Sequence, residues 1–132
     1  MTNEKLVELA KEARENARVD ISGFKVGAAL LTRTGKVFKG SNIEDPSGIG
    51  ITSICAERCA VIKALSEGSD DFEKIAVVGG SSELIFCAPC GACRQYLNSW
   101  CPDIIVVLPN ENGDIKELSM RELLPYSFDE KF

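Results

Sequence analysis

The sequence predicts an α/β fold, in which helices cover a mixed β-sheet. An amphipathic helix and a β-hairpin come first, and helical patterns then alternate with short aliphatic runs. The 132 residues are 45% apolar and 27% charged, which suits one globular domain with a buried core. We therefore expect residues 1–132 to form a single domain of this class.

The first third of the chain predicts one helix and one hairpin. Residues 24–33 and 36–43 are β-rich runs on either side of Thr34-Gly35, as in a hairpin, and residues 44–53 have the composition of a loop. Residues 3 to about 18 predict the helix, since small apolar side chains recur there every three or four residues (Leu6, Ala10, Ala13 and Ala17).

Helices and buried strands alternate in the middle of the chain. Residues 54–67 predict a helix that ends at Gly68, and residues 74–79 predict a short buried strand. Residues 90–100 predict a further helix entered through a proline, and residues 104–108 predict a second buried strand. A hairpin followed by helices that alternate with buried strands gives a mixed sheet covered by helices.

The C-terminal part predicts a short strand and a short helix. Residues 114–118 follow a turn signal and predict an edge strand. Ser119 and Glu122 have the spacing of a capping box, so a last helix begins there and ends before Pro125.

Charge and composition exclude several function classes. The net charge is −5, from 15 basic and 20 acidic residues, so an interface with a nucleic-acid polymer is not expected. No aliphatic run approaches the ~20 residues that span a bilayer, and the polar opening residues lead into no signal segment, so a cytoplasmic protein without membrane contact is expected. The chain has no histidine, which excludes a Ser-His-Asp triad and any imidazole ligand.

Three of the six cysteines predict a metal site. Without an export signal, a disulfide framework is disfavoured. Cys90 and Cys93 lie one helical turn apart at the start of a predicted helix, and Cys55 begins another, where the helix dipole favours thiolates. Three thiolates suit tetrahedral zinc and leave a fourth position for water.

The remaining cysteines leave alternatives open. Cys59, Cys87 and Cys101 are expected to be ordinary core or surface thiols. Cys59 lies on nearly the same side of its helix as Cys55, so a closed four-cysteine structural site is also possible. Cys87 forms a second C-x-x-C pair with Cys90.

Charged residues beside the cysteines predict a reaction rather than a purely structural site. Glu57 follows Cys55 by two residues, close enough to exchange a proton with a metal-bound water without being a ligand. Three thiolates around Zn²⁺ leave a net charge of about −1. Arg58 or Arg94 could offset it by donating hydrogen bonds to the sulfurs, the alternative being that each is a solvated surface side chain.

Two motifs in order, Cys-Ala-Glu-Arg at residues 55–58 and Pro-Cys-Gly-Ala-Cys-Arg-Gln at residues 89–95, carry a family resemblance. The sequence resembles the small, homotetrameric, three-cysteine cytidine deaminases. Residues 24–30, 40–44 and 122–128 continue the match over nearly the whole chain. The resemblance implies a cytidine deaminase-like α/β/α fold, a homotetramer with shared active sites, and a free nucleoside as substrate.

The resemblance also implies the roles of the residues at the metal. Cys55, Cys90 and Cys93 would hold one zinc per chain, and Glu57 would move protons between water, ring N3 and the leaving amine. The activated water would attack C4 of cytosine, converting cytidine and 2′-deoxycytidine to the uridines and ammonia. Arg58 would support the sulfurs from outside the ligand set.

Further residues would contact the nucleoside. Asn42 and Glu44 would bind the ribose 3′-hydroxyl, and Phe24 would pack on the pyrimidine unless it is simply a core residue. The Ala56 N–H and the Ala88 carbonyl would bind the polar edge of the base, while Phe128 would complete the pocket of a neighbouring subunit. Residues 20–22 and 45–50 depart from the usual family pattern, and the loop after Glu44 is about two residues longer than usual, which leaves the preferred sugar open.

Two alternative functions accompany this prediction. One is deamination of a related cytosine compound such as blasticidin S, whose deaminases share the zinc motifs and the tail pattern at residues 121–125. The other is a non-enzymatic zinc module, in which four thiolates close the site and Glu57 is a surface carboxylate. Editing of a nucleic acid is disfavoured by the acidic charge balance.

Overall fold

A five-stranded mixed sheet forms the centre of the protein. The computed structural model describes residues 1–130, and its sheet has the strand order β2-β1-β3-β4-β5. In chain order the elements are α1 (Asn3–Arg14), β1 (Lys25–Thr32), β2 (Val37–Ser41), a 3₁₀ turn (Gly50–Thr52), α2 (Ala56–Ser66), β3 (Phe72–Gly80), α3 (Gly91–Trp100), β4 (Ile105–Pro109), β5 (Ile115–Ser119) and α4 (Met120–Leu123).

The pairing of the strands confirms the predicted mixed sheet. β1 pairs antiparallel with β2 and with β3, and β4 pairs antiparallel with β5. β3 and β4 are parallel, with Ile75 opposite Val106, so the chain must cross over between them. Helix α3 makes that crossover, and this places its start at the end of the sheet where β3 finishes.

Helices cover both faces of the sheet, which confirms the three-layer α/β/α fold. On one face, α1 packs on alternate residues of β1 and β3, including Ala29 and Ala76. On the other face, α2, α3 and α4 pack on the intervening residues, including Leu30 and Ile75. The side-chain alternation of the strands thus divides the core between two helical layers.

Small residues in the strands let the helices approach closely. A Cβ at Gly27 would overlap the Ala10 carbonyl oxygen of α1, and a Cβ at Gly40 would overlap the Ala56 carbonyl oxygen of α2. Both clashes are with backbone, so a side chain at either position would force the helix away from the sheet. The first turn of α2 is therefore held against β2.

Helix α1 is shorter than predicted. It ends at Arg14 and not at residue 18, because residues 15–17 continue only as turns with i→i−3 hydrogen bonds. Arg18 then forms a parallel bridge with Ile43, and its N–H donates to the Asn42 carbonyl at 2.9 Å. Pairing with the strand edge replaces the last helical turn, although Ala17 keeps the helical spacing.

The other predicted elements are confirmed, with ends that differ by at most two residues. Gly68 has a φ of 86° directly after the cap of α2, as predicted for a helix stop. Ser119 and Glu122 form the predicted capping box of α4. The longest described helix, α1, has 12 residues, and no described helix combines the length and apolar character needed to span a bilayer.

The 44–53 loop, which joins β2 to α2, is closed by its own hydrogen bonds. Its ends meet where Ile43 and Ile54 exchange two backbone hydrogen bonds of 3.0 and 2.9 Å. Asp45 accepts from the Thr52 hydroxyl and from the Ser47 N–H, and its own N–H donates to the Ser53 hydroxyl. Beyond Glu44, which bonds the 18–22 segment, the loop is therefore a compact turn held by its internal hydrogen bonds.

Candidate metal centre and adjoining pocket

The starts of α2 and α3 bring three thiols together. Cys55 is the N-cap of α2, and Cys90 is the N-cap of α3, both with extended backbone. Cys93 lies in the first turn of α3 and is fully buried. Free N–H groups and the positive end of the dipole of each helix therefore point toward the sulfurs.

The spacing of the three sulfurs fits a metal ion. The Sγ atoms of Cys55, Cys90 and Cys93 all lie within 4.8 Å of one another, and those of Cys55 and Cys90 are 3.6 Å apart. Sulfurs bound to tetrahedral zinc at 2.3 Å would be about 3.8 Å apart. The donor set is soft, has the right spacing and offers three ligands, so the residues present fit zinc.

Without a bound cation, the clustered thiols differ in how readily they ionise. Hydrogen bonding from Cys93, helped by the Arg58 guanidinium and Cys90, lowers the pKa of Cys55 to about 5 against the effect of burial. The pKa of Cys93 is raised far above its usual value by its hydrogen bond to Cys55 and by burial. One thiolate thus suppresses the ionisation of its neighbour, and a divalent cation would relieve that repulsion.

Arg58 lies against the sulfurs. Its Nη2 donates to Cys55 Sγ at 3.5 Å, and this hydrogen bond is the main cause that raises the pKa of Arg58. Its Nε is buried and has no hydrogen-bond partner among the described residues. The guanidinium therefore contributes a positive charge where thiolates would accumulate negative charge.

Glu57 is a buried carboxyl group beside the thiols. Its exposed fraction is 4%. Burial raises the pKa of Glu57 to about 7, and the negative Cys55 adds to this, while its own backbone N–H, Arg58 and Cys93 oppose it. A carboxyl group with such a pKa can both accept and release a proton near neutral pH.

The other cysteines are separate from this cluster. Cys59 is half-buried and Cys101 lies in the core. Among residues 1–130, the cluster of potential metal ligands contains three thiols and neither of these two cysteines. Cys87 is a half-buried residue of the pocket wall, and burial raises its pKa to about 11. All six cysteines are free, so the structure shows neither a disulfide framework nor a four-cysteine cluster in the part of the chain that it describes.

A cavity of about 380 Å³ opens beside the three thiols. This volume lies in the range of small-molecule sites. The five residues that the resemblance assigns to the nucleoside all line it, together with Glu57, Arg58, Cys55 and Cys90: they are Phe24, Asn42, Glu44, Ala56 and Ala88. The Ala56 N–H belongs to the first residue of α2 and so has no acceptor within that helix.

Asn42 and Glu44 also position the segment that leads into β1. The Asn42 side chain accepts from Val26 N–H at 2.9 Å and donates to the Phe24 carbonyl at 2.8 Å. The Glu44 carboxylate accepts from the N–H groups of Ile21 and Ser22 at 3.0 and 3.1 Å. The Ser22 hydroxyl and these N–H groups lower the pKa of Glu44, so it is an anion at neutral pH.

Phe128 lies away from this pocket within its own chain. It is 61% exposed and lines a different cavity, of about 900 Å³, between α3 and the C-terminal segment. Gln95 of α3 donates to the Phe128 carbonyl at 3.2 Å, which holds the backbone there. The larger cavity contains none of the clustered thiols, so the smaller one is the candidate site.

Sequence reasoning missed several residues of the site. Ser22, Ser53 and Cys87 line the pocket, but they lie in loops whose sequence carries no signal for such a position. Arg94 donates to the backbone carbonyls of Pro89 and Leu123 instead of to the sulfurs.

Comparisons with known proteins agree with this geometry. Residues 1–108 match the family model described as "Cytidine and deoxycytidylate deaminase zinc-binding region". A cytidine deaminase from Halalkalibacterium halodurans is 48% identical over 97% of this chain and 95% of its own length. The crystal structure of a cytidine deaminase from Burkholderia pseudomallei superposes with a TM-score of 0.87 at 46% identity, covering 97% of this chain and all of the other.

A more distant relative bears on the substrate. A blasticidin-S deaminase from Bacillus cereus is 32% identical over 93% of this chain and 89% of its own length. The three-thiol centre, the buried carboxyl and these similarities lead to one conclusion: the chain belongs to the cytidine and deoxycytidylate deaminase family.

Proposed function

We propose that this protein is a zinc-dependent cytidine deaminase, which hydrolyses cytidine and 2′-deoxycytidine to uridine and 2′-deoxyuridine with release of ammonia. The observation that carries the proposal is the buried Glu57 carboxyl beside three clustered thiols at one end of a nucleoside-sized pocket. Cys55, Cys90 and Cys93 would hold one zinc ion per chain. When bound, zinc supplies a Lewis acid that activates water near neutral pH.

Glu57 carries the protons in this reaction. Its carboxylate accepts a proton from the attacking water and delivers it to ring N3, and a second transfer protonates the 4-amino group so that ammonia leaves. The raised pKa of Glu57, about 7, suits a group that must alternate between the two protonation states. Its burial keeps bulk water from competing for those protons.

The pocket walls would orient the nucleoside. Phe24 packs against the pyrimidine ring, while the Ala56 N–H and the Ala88 carbonyl bind the polar edge of the base. Asn42 and Glu44 bind the ribose 3′-hydroxyl. Each side chain already bonds the 21–26 segment, but the Asn42 amide keeps a further N–H and the Glu44 carboxylate keeps further acceptor positions for the sugar. A hydroxyl at the 2′ position is not needed for this contact, which supports both sugars as substrates.

Replacement of Glu57 tests the proposal. Zinc-loaded wild-type protein is expected to change the ultraviolet absorbance of cytidine as uridine forms. Glu57→Gln keeps the shape of the side chain but cannot carry the proton, so kcat should fall by about 10²–10⁴-fold or more. Zinc content and the thermal unfolding midpoint should stay at the wild-type level.

The matched control is Glu67→Gln, an acidic residue at the far end of α2 that should retain full activity. Absence of turnover of either nucleoside by wild-type protein with one zinc per chain would contradict the proposed function. Loss of zinc in Glu57→Gln would instead contradict the role of Glu57 as a proton carrier.

The second candidate substrate is a related cytosine compound such as blasticidin S. The similarity to the blasticidin-S deaminase from Bacillus cereus is the observation in its favour. Asn42 and Glu44 at the pocket favour an ordinary nucleoside. The ratio of kcat/KM for cytidine and blasticidin S decides between them, and a ratio below one would reverse the assignment.

We further propose that the chain folds as one domain, works in the cytoplasm and assembles as a homotetramer with shared active sites. Exposure of Phe128 outside its own pocket supports a contribution to a neighbouring subunit. The cytoplasm supports free thiols, which the metal centre requires. Light scattering of the zinc-loaded protein should give a mass four times that of the chain.

A further inference from the structure

Cys90 is the proposed ligand that packing holds least. It is exposed, whereas Cys93 is fully buried in the core. Cys90 follows an irregular loop, residues 81–89, that lies outside the helices and strands. Two hydrogen bonds anchor the middle of this loop: Ile85 N–H donates to the Gly79 carbonyl at 2.9 Å, and Phe86 N–H donates to the Glu111 carboxylate at 3.0 Å. Both lie at least four residues before the ligand.

Arg94 holds both peptide groups that flank Cys90. Its backbone N–H donates to the Cys90 carbonyl at 2.9 Å, as the first bond of α3. Its side-chain Nε donates to the Pro89 carbonyl at 2.7 Å. Since proline has no N–H, this carbonyl is the only backbone group through which Pro89 can be fixed by a hydrogen bond.

The same guanidinium reaches a second segment. Its Nη1 donates to the Leu123 carbonyl at 2.8 Å, at the end of α4. That carbonyl belongs to the last turn of the helix, where acceptors lack partners within the helix. Leu123 is buried in the same core cluster as Leu97 of α3, so packing fixes the carbonyl that the Arg94 guanidinium bonds.

We propose that Arg94 is a positioning residue of the metal centre, whose guanidinium fixes the Pro89–Cys90 peptide against the end of α4 and so holds the Cys90 sulfur in place for zinc. The inference rests on the proposed zinc site and adds a residue to its support. Two N–H groups at a fixed angle are needed to reach both carbonyls, which arginine supplies and lysine does not.

Zinc release from Arg94→Lys and Arg94→Gln tests the proposal. Loss of a group that orients a metal ligand typically weakens metal binding by about 10–100-fold. We expect transfer of zinc to a chromogenic chelator to be faster by a factor of that size in both variants. Cobalt-loaded protein should also show altered sulfur-to-metal absorption, which directly reports the ligand geometry.

Arg14 provides a matched control in the opposite helical layer. Its guanidinium also bridges two backbone carbonyls, donating to Lys25 at 3.2 Å and to Gly80 at 2.6 Å. It lies on α1, across the sheet from the thiols. Arg14→Lys and Arg14→Gln should lose a comparable clamp and some stability, but release zinc at the wild-type rate.

The outcomes separate this inference from the proposed function. Zinc release at the wild-type rate from both Arg94 variants would overturn the positioning role and leave the proposed function standing. Equal acceleration in the Arg94 and Arg14 variants, or an Arg94→Lys protein that does not fold with excess zinc, would show a purely structural role and overturn it too. A wild-type protein that binds no zinc would overturn the proposed function and this inference together.

Discussion

Arg58 places a half-buried cation beside the thiols and next to Glu57. Three thiolates around a divalent cation leave about one negative charge, which weakens the Lewis acid. The Arg58 Nη2 group, 3.5 Å from Cys55 Sγ, draws electron density from that sulfur. Its buried Nε has no hydrogen-bond partner among residues 1–130, and such a group costs about 1–3 kcal/mol. Arg58 thus places a positive charge beside the sulfurs and leaves one donor unsatisfied.

Arg58→Ala should lower kcat while the protein still binds one zinc per chain. Without the guanidinium, the thiolates donate more charge to the metal, so the activated water forms at higher pH. We expect a fall in kcat of about 10–100-fold at neutral pH and a shift of the pH–kcat profile to higher pH. Steady-state kinetics across pH, together with metal analysis, measures both effects.

Arg58→Lys tests the positive charge separately from the planar shape of the guanidinium. Lysine keeps the positive charge, so it should recover part of kcat and part of the pH shift. An Arg58→Ala enzyme with unchanged kcat and pH profile would rule out charge compensation.

At the scale of elements, the position of the thiols depends on how closely α2 lies on β2. Gly40 faces the first turn of α2, and a Cβ there would overlap the Ala56 carbonyl and approach the Ala60 backbone. Ala56 directly follows Cys55, the N-cap of the helix. The absence of one side chain in the strand therefore sets where a proposed metal ligand lies.

Gly40→Ala should push the start of α2 away from the sheet. The clash is with backbone, so it cannot be relieved by a rotamer change, and we expect a loss of about 1–3 kcal/mol in the free energy of unfolding. Zinc affinity should fall as well, since Cys55 moves with the helix. Urea unfolding and chelator competition measure the two effects.

Gly91→Ala is the control for this substitution. Gly91 begins α3, and a Cβ there would meet no atom within 4 Å. Its free energy of unfolding should stay within about 0.5 kcal/mol of wild type. A Gly40→Ala protein as stable as this control would show that α2 tolerates the displacement.

Local patterns made most elements and the cluster of three thiols predictable. The spacing of Cys90 and Cys93 and the stop at Gly68 depend on neighbouring residues only, so the sequence displays them. The end of α1 at Arg14 depends on the bridge between Arg18 and Ile43, a distant contact that helical spacing does not encode. Likewise, the Arg94 guanidinium bonds a carbonyl 29 residues away, and any residue type supplies a carbonyl.

Exposed apolar residues bear on the whole molecule. Phe128 is 61% exposed, and further exposed isoleucines lie on or beside the 44–53 loop near the pocket (Ile21, Ile43, Ile49 and Ile51). The most exposed of these isoleucines is Ile51, at 94%. Apolar side chains grouped near a pocket mouth are typical of association surfaces, which agrees with the proposed homotetramer.

Mixed oligomers should reveal whether Phe128 serves a neighbouring site. Phe128→Ala is expected to raise KM for cytidine, and Glu57→Gln is expected to be inactive. If subunits share sites, co-expression of the two variants creates pockets with an intact Glu57 in one chain and an intact Phe128 from the next. Activity of the purified mixture should then exceed the sum of the two parents.

Phe24→Ala serves as the control in the same mixing experiment. Phe24 lines the same pocket as Glu57 within one chain, so no mixture of Phe24→Ala with Glu57→Gln can assemble an intact site. Complementation by both pairs would point to subunit stabilisation, and complementation by neither would place Phe128 outside the active site.

The closed form of the 44–53 loop has a consequence for how this enzyme could diversify. Its ends meet at the Ile43–Ile54 bridge and Asp45 ties it internally, yet Gly50 and Ser53 face the pocket. Insertions and substitutions there can accumulate without disturbing the helix that carries Cys55 and Glu57. Selection or directed evolution, or a loop grafted from a relative, can thus change which sugar the pocket accepts. The residues proposed to carry out the deamination stay the same.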